Sequence, residues 1–219
     1  MPVRLSEIDD SNRGAHYHLN AGDNCLYLYE YTSGQGYSFS TTNQLITNLK
    51  KKPTVSQAQL RYKAGAIREC AAAFGEALNP KWLDIATIVP VPCSKAVGHP
   101  DYDRRMERMA GLIRKGADVR NLVVQRESTV AAHEAEPGQR ITVDQLLALY
   151  EIDESLTAPA PRSIGILDDV LTAGTHFRAM STVLSQRFPG VPIVGLFVAR
   201  RVFPPAALDF EGVNLEDLL

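Results

Sequence analysis

Residues 163–176 read SIGILDDVLTAGTH, and this stretch decides the fold that we expect for the chain. It begins with an apolar run at 164–167, which has the length and the β-branched character of a strand. Asp168 and Asp169 follow directly. Small residues at 172–175 then lead into a segment whose apolar side chains recur at helical spacing. The stretch therefore predicts a buried strand, a tight polar turn and the first turn of a helix.

The predicted turn offers a binding site for an anion. The first N–H groups of a helix have no intrahelical partner and carry partial positive charge. Gly174 would let the backbone come close to a ligand, and the hydroxyl groups of Thr172 and Thr175 would add donors. A phosphate monoester fits such a loop.

The two aspartates make the predicted site more specific. They would repel a phosphate, so they should serve a neutral or cationic part of the same ligand, such as vicinal sugar hydroxyls or a Mg²⁺ ion held on them. An ordinary strand-to-helix turn with a capping threonine is the alternative, although such a turn does not need paired acids.

The run 164–175 consists of four apolar residues, two acidic residues, an apolar pair and Thr-x-Gly-Thr. It resembles the phosphoribosyl pyrophosphate (PRPP) signature of type I phosphoribosyltransferases. The resemblance implies that Asp168 and Asp169 contact the ribose hydroxyls. It also implies a Mg²⁺ ion that arrives with PRPP, without a full set of side-chain ligands and with these two aspartates as its candidate contacts. The 5′-phosphate would lie on Val170, Thr172, Ala173, Gly174, Thr175 and His176.

A second site segment follows another predicted strand, at 85–89. Two prolines in the sequence PVPCSK at 90–95 make the exit from this strand rigid. In type I phosphoribosyltransferases the loop after the first core strand holds the pyrophosphate. The resemblance gives that role to Lys95, with help from the N–H groups of Cys93 and Ser94. Cys93 as a nucleophile is the weaker alternative, because no histidine or asparagine in a matching motif supports it.

Further candidates for the pyrophosphate lie in two polar segments. Asp103 stands where a helix cap would, which places Arg104 and Arg105 in a first helical turn, where positive charge is unfavourable unless an anion is near. A solvent-facing pair is the alternative. The segment 125–140 is polar and without periodicity, and it follows a third short strand predicted at 122–124. The resemblance makes this segment a mobile loop, with Arg126 and His133 as candidate contacts, whereas an uninvolved surface loop is equally compatible.

The N-terminal part has a different predicted pattern of secondary structure from the rest of the chain. An aromatic strand at 26–31, a turn at 32–36 and a returning strand at 37–40 predict a β-hairpin, and a short helix then ends near Leu49. The lysines at 50–52 could contact an anion, but a solvated helix end is the simpler interpretation. We therefore expect a small hood-like region at 1–53 and a phosphoribosyltransferase-like core at 54–219.

Composition excludes several classes of protein. The 219 residues carry a net charge of −2 and three separated cysteines, which is too few for a disulfide framework and lacks the spacing of a zinc knuckle. We see no membrane-spanning or signal segment, and we expect a cytoplasmic protein. The acidic balance argues against nucleic-acid binding through a global basic surface, and no DNA-binding motif is present.

Strands that alternate with helices predict an α/β fold with a mostly parallel twisted sheet, in which ligands bind at the carboxyl ends of the strands. Within the type I group, the order of segments resembles the ComF-type proteins over nearly the full length. The N-terminal cysteine zinc module of that branch is absent here, and its Arg-Gly-Phe-Asn-Gln segment is replaced by residues 103–107, DRRME.

The resemblance implies an enzyme that transfers phosphoribose from PRPP to an unidentified nitrogen nucleophile and releases pyrophosphate. In that enzyme Asp168, Asp169, Lys95, Arg104 and Arg105 would be the catalytic set. A non-catalytic module that senses PRPP or a nucleotide, or binds a partner, is the alternative, and a scaffold without a ligand is the third. The acidic tail at 209–219 is a candidate for docking on a neighbour, which leaves a homodimer open.

Overall fold

The computed structural model describes residues 2–129 and 141–204, and these form an α/β fold around a six-stranded, mostly parallel sheet. The sheet has the spatial order β1 (Ser6–Glu7), β2 (Asn24–Thr32), β8 (Ile193–Val202), β7 (Ser163–Leu171), β3 (Ala86–Pro90) and β4 (Asp118–Val119). Only the β1–β2 pair of this described sheet is antiparallel. The predicted fold class, an α/β protein with a mostly parallel sheet, is confirmed.

Helices cover both faces of the sheet: α1 (Thr41–Leu49), α2 (Gln57–Ala77), α3 (Pro80–Leu83), α4 (Arg105–Ile113), α5 (Val143–Leu149) and α6 (Thr175–Arg187). Side chains of α1, α2 and α4 join one buried cluster, which includes Phe74 and Leu167. Side chains of α5 and α6 join a second cluster, which includes Ile164 and Ile166 of the central strand. Ile164 and Ile166 therefore pack on one face of the sheet and Leu167 on the other, because successive residues of a strand point to opposite faces.

The N-terminal hairpin was a wrong prediction. Residues 37–40 form turns instead of a returning strand, and β2 pairs along its length with β8 in parallel, from Asn24 opposite Val194 to Thr32 opposite Val202. The physical reason is burial, because Cys25, Tyr27 and Leu28 pack into the cores of the main sheet. Residues before 54 thus supply two strands of this sheet and the helix α1 on one of its faces.

The third predicted strand also has a different place. β4 is the strand that follows β3 in the main sheet, while β5 (Val123–Gln125) pairs in antiparallel fashion with β6 (Tyr150–Ile152) in a separate two-stranded ribbon. His133 and the tail at 209–219 lie outside the described residues. None of the described helices is long and apolar enough to cross a membrane.

Local signals set the helix boundaries. The side chain of Ser56 accepts a hydrogen bond from Gln59 N and begins α2, and Thr142 forms a capping box with Gln145 at the start of α5. Gly174 begins α6 with a positive φ of 89°. The strand predicted at 164–167 continues through both aspartates to Leu171, so the polar turn starts only at Thr172.

Candidate functional site

The carboxyl ends of β7 and β3 lie side by side and open into one cavity. Pro90 is opposite Leu167, and the N–H of Val91 donates to the Leu167 carbonyl at 2.9 Å, so the turn after β3 emerges beside the two aspartates. A cavity of about 110 Å³ lies between them. Its polar lining consists of Lys50, Cys93, Ser94, Asp103, Arg105, Asp168, Asp169, Thr172 and His176. Two of the segments singled out in the sequence therefore meet here.

The turn at 172–175 has one covered side and one accessible side. Residues before β2 cover it, because the N–H of His18 donates to the Ala173 carbonyl at 2.9 Å and the His16 ring contacts the Thr172 carbonyl. A Cβ on Gly174 would lie 3.0 Å from the side chain of Leu19. Thr172 is exposed and lines the cavity. The N-terminal segment therefore packs against the covered side of the turn, and the first turn of α6 follows the turn directly in the chain.

Asp169 is buried and bound by two cations. Its Oδ1 lies 3.1 Å from Lys50 Nζ, and its Oδ2 accepts hydrogen bonds from Arg105 Nη2 at 2.7 Å and Nε at 3.1 Å. Burial raises the pKa of Asp169, but Lys50 and Arg105 outweigh that effect and hold it well below the usual range. Asp169 is therefore an anion at neutral pH, and its charge is already matched within the protein.

Asp168 has the opposite electrostatic environment. Its Oδ1 accepts a hydrogen bond from the Asp169 N–H at 2.7 Å. Burial and then the neighbouring Asp169 carboxylate raise the pKa of Asp168 to about 7. The two acids are therefore not equivalent, because Asp168 is the one whose carboxyl group is not committed to an ion pair among the described residues.

His176, in the first turn of α6, connects the cavity to the β5–β6 ribbon. Its Nδ1 lies 2.8 Å from the hydroxyl of Tyr150, which is buried and does not line the cavity. Burial lowers the pKa of His176 to about 4, against the opposing effect of Asp169. The ring is therefore neutral at physiological pH and presents a neutral edge to the cavity.

A buried set of charges supports Arg105. The Asp103 Oδ2 accepts hydrogen bonds from Arg105 Nη1 at 2.8 Å and from Lys63 Nζ at 2.6 Å. Burial alone lowers the pKa of Arg105, but Asp169 and Asp103 raise it overall. The guanidinium therefore stays charged between two carboxylates.

Other predicted site residues lie elsewhere. Lys95 Nζ donates to the Thr129 carbonyl at 2.8 Å and lines a neighbouring cavity of about 190 Å³, outside the lining of the aspartate cavity. Arg104 is exposed and pairs with Glu107 at 2.7 Å, so the solvent-facing alternative applies to it. Arg126 pairs with Glu151 at the surface. Of the predicted cations, the structure brings Arg105 to the aspartates.

The predicted site residues do not include Lys50, Lys63 or Tyr150. For Lys50 the solvated end was the favoured interpretation, and only the run of lysines hinted at another role. Lys63 carried a clearer signal, because it lies three residues after Leu60 and four before Ile67, on the apolar stripe of α2. A charged residue on such a stripe indicates a buried partner. Tyr150 carried no signal that the sequence alone distinguishes from packing.

The described residues contain no group of three or more histidine, cysteine, aspartate or glutamate side chains placed to hold a metal ion. Among the described residues, Asp168 is the cavity carboxyl group that takes part in no ion pair. A comparison with protein-family models and with curated proteins finds no match for this sequence.

Proposed function

We propose that this protein binds PRPP and acts as a type I phosphoribosyltransferase, transferring phosphoribose to a nitrogen nucleophile. One observation carries the proposal: Asp168, Asp169 and Thr172 line one cavity with the turn at 93–94, at the carboxyl ends of two neighbouring parallel strands. A turn that only connects a strand to a helix needs neither the paired acids nor the cavity. The resemblance of the run 164–175 to the PRPP signature supports the same conclusion.

In this proposal, different residues bind different parts of the ligand. The Thr172 hydroxyl and the first N–H groups of α6 hold the 5′-phosphate, and the neutral His176 ring adds a partner without adding charge. Asp168 accepts a hydrogen bond from a ribose hydroxyl. The diphosphate end extends toward the turn after β3. Mg²⁺ bound to the ligand would supply charge compensation for the departing pyrophosphate.

The proposed reaction is a displacement at C1 of the ribose. The bond from C1 to the pyrophosphate oxygen breaks, and the pyrophosphate leaves with the electron pair. A bond from C1 to the acceptor nitrogen forms as that nitrogen loses a proton to water. Positive charge develops on the sugar ring in the transition state. Asp168, when ionised beside the ribose, would stabilise that charge by about 3 kcal/mol, the typical size of one preorganised electrostatic contact.

A second function, sensing of PRPP or a nucleotide without turnover, has one observation in its favour. Lys95, the lysine expected to stabilise the leaving pyrophosphate, is bonded to the Thr129 carbonyl and lies outside the cavity. A site without that cation would still bind the ligand but would assist departure of the leaving group less.

Thermal unfolding with PRPP and Mg²⁺, followed by an assay of pyrophosphate release with a panel of nucleobases and amines, tests both functions. Stabilisation with release supports the transferase, and stabilisation without release under any acceptor supports the sensor. The variant Asp168→Asn should lose the stabilisation by PRPP. The control Asp10→Asn, which changes an exposed carboxylate outside the cavity lining, should keep it. An unchanged melting temperature of the parent protein with PRPP would contradict the proposal.

A further inference from the structure

Five charged side chains beside the cavity alternate in sign. In order of contact they are Lys63, Asp103, Arg105, Asp169 and Lys50, with nitrogen–oxygen distances of 2.6, 2.8, 2.7 and 3.1 Å. Lys63 Nζ also donates to the carbonyls of Leu49 and Lys51, the two neighbours of Lys50 in the chain. Both ends of this charge chain therefore meet at the end of α1.

The charge chain contains more cations than carboxylates, and two of its three cations line the cavity. Three cations stand against two carboxylates. Lys63 is sealed, with 4% of its side chain exposed, whereas Lys50 and Arg105 keep 24% and 20% and line the cavity. Asp168, whose pKa burial raises to about 7, offsets part of this excess when it is ionised. At the cavity, Lys50 and Arg105 therefore share Asp169, and Arg105 also pairs with Asp103.

We infer that Lys50 and Arg105 bind the diphosphate group of the ligand, and that Asp169 is the internal anion that this group replaces. The inference deepens the proposed function and rests on it for the sugar part of the ligand. The planar fork of Arg105 suits a phosphate as well as a carboxylate, and a diphosphate offers more charge and more acceptor oxygens than one aspartate. Lys63 and Asp103 keep both cations in place during the exchange.

Separating Asp169 from Lys50 and Arg105 costs free energy, and a ligand offsets this cost only if it also makes contacts to Asp169. Asp169 is buried, and a buried carboxylate that loses its cations is strongly destabilised unless other donors replace them. Ribose hydroxyls would donate hydrogen bonds to the released carboxylate, whereas inorganic pyrophosphate offers no such donors. The site should therefore bind a sugar diphosphate much more tightly than free pyrophosphate. Removal of the Asp169 charge should abolish that discrimination.

Calorimetric titration of inorganic pyrophosphate with Mg²⁺ tests the inference. We expect Asp169→Asn to bind pyrophosphate about tenfold more tightly than the parent protein, because Lys50 then loses its carboxylate partner and Arg105 keeps only Asp103. Lys50→Met should bind it about tenfold more weakly than the parent, and in the Asp169→Asn background it should cancel the gain. Lys51→Met, which removes the neighbouring lysine outside the cavity lining, is the matched control and should bind within about twofold of the parent.

Pyrophosphate binding that Asp169→Asn weakens or leaves unchanged would overturn the inference, as would equal effects of Lys50→Met and Lys51→Met. Failure to detect pyrophosphate binding to either the parent or Asp169→Asn would overturn it too. Melting curves of each variant without ligand identify any that fail to fold. If Lys50→Met fails to fold, Arg105→Met is compared with the control Arg104→Met, at an exposed position, in place of Lys50→Met and Lys51→Met. Failure of the proposed function would give a different result. PRPP would then bind to the parent no better than pyrophosphate, whereas Asp169→Asn would still bind pyrophosphate more tightly, and Lys50→Met more weakly, than the parent.

Discussion

The hydroxyl of Tyr150 lies 2.8 Å from Nδ1 of His176 and joins the β5–β6 ribbon to the first turn of α6. Burial and then the charge of Asp168 raise the pKa of Tyr150, so its hydroxyl keeps its proton. A buried O–H group needs an acceptor, and Nδ1 of the neutral imidazole supplies one. This arrangement leaves the imidazole proton on Nε2, at the other edge of the ring.

Tyr150→Phe removes the hydroxyl and leaves His176 free to adopt either tautomer. We expect the free energy of unfolding to fall by about 1 kcal/mol, because one buried acceptor loses its donor. ¹⁵N NMR of the imidazole should find the proton on Nε2 in the parent protein and on both nitrogens in the variant. Tyr62→Phe, at an exposed position, is the control. A proton on Nδ1 in the parent would disprove the arrangement.

The raised pKa of Asp168 makes stability depend on pH. Its value of about 7 in the folded protein lies above the usual ~3.9, so between these two values the folded state holds a proton that the unfolded chain releases. The contribution of Asp168 is therefore present below about pH 4 and is lost as the pH rises through about 7. Because the residue keeps partial exposure, we expect a loss on the order of 1 kcal/mol.

Urea unfolding of the parent and of Asp168→Asn at about pH 5 and about pH 8 measures this effect. The parent should lose more stability than the variant between these conditions. The lowered pKa of Asp169 has its effect at lower pH, because its contribution is present above about pH 4 and is lost as the pH falls further. Acidification from about pH 5 to about pH 3 should therefore destabilise the parent more than Asp169→Asn. Identical pH profiles of the parent and Asp168→Asn would show that Asp168 is ionised throughout.

Gly174→Ala tests the geometry of the polar turn. Gly174 has a φ of 89°, and an added Cβ would lie 3.0 Å from Leu19. We expect a loss of about 1–2 kcal/mol in unfolding free energy, together with weaker binding of ribose 5-phosphate. Gly190 has a similar φ of 79° but open space around it. Gly190→Ala should therefore cost similar stability and leave binding unchanged, whereas equal binding by both variants would remove the turn from the site.

Local chemistry explains what the sequence predicted well. The strand, turn and helix at 163–187 depend on neighbours in the chain, such as the apolar run before Asp168 and the glycine at 174. A parallel sheet then brings strand ends together by its own geometry, which is why the turn at 93–94 could be expected beside the aspartates. The predicted catalytic role of these residues stays a prediction.

Long-range pairing explains what the sequence missed. Nothing near β2 indicates that it pairs with β8, about 170 residues later, rather than with residues 37–40. Lys50 and Lys95 are both lysines after apolar segments, and only the tertiary structure decides which reaches Asp169. Side-chain reach across elements is set by packing, so local patterns do not contain it.

Lys63→Met tests whether the buried end of the charge chain holds the site together. The change leaves the carbonyls of Leu49 and Lys51 without this donor and leaves Asp103 with Arg105 alone. We expect the free energy of unfolding to fall by about 3 kcal/mol, as when one partner of a buried ion pair is removed. Lys81→Met, at an exposed position, should change it by less than about 0.5 kcal/mol. In a double-mutant cycle Asp103→Asn should cost less in the Lys63→Met background than in the parent, because the lost partner no longer matters. Additive effects, measured by urea unfolding, would mean that Lys63 acts only through the two carbonyls.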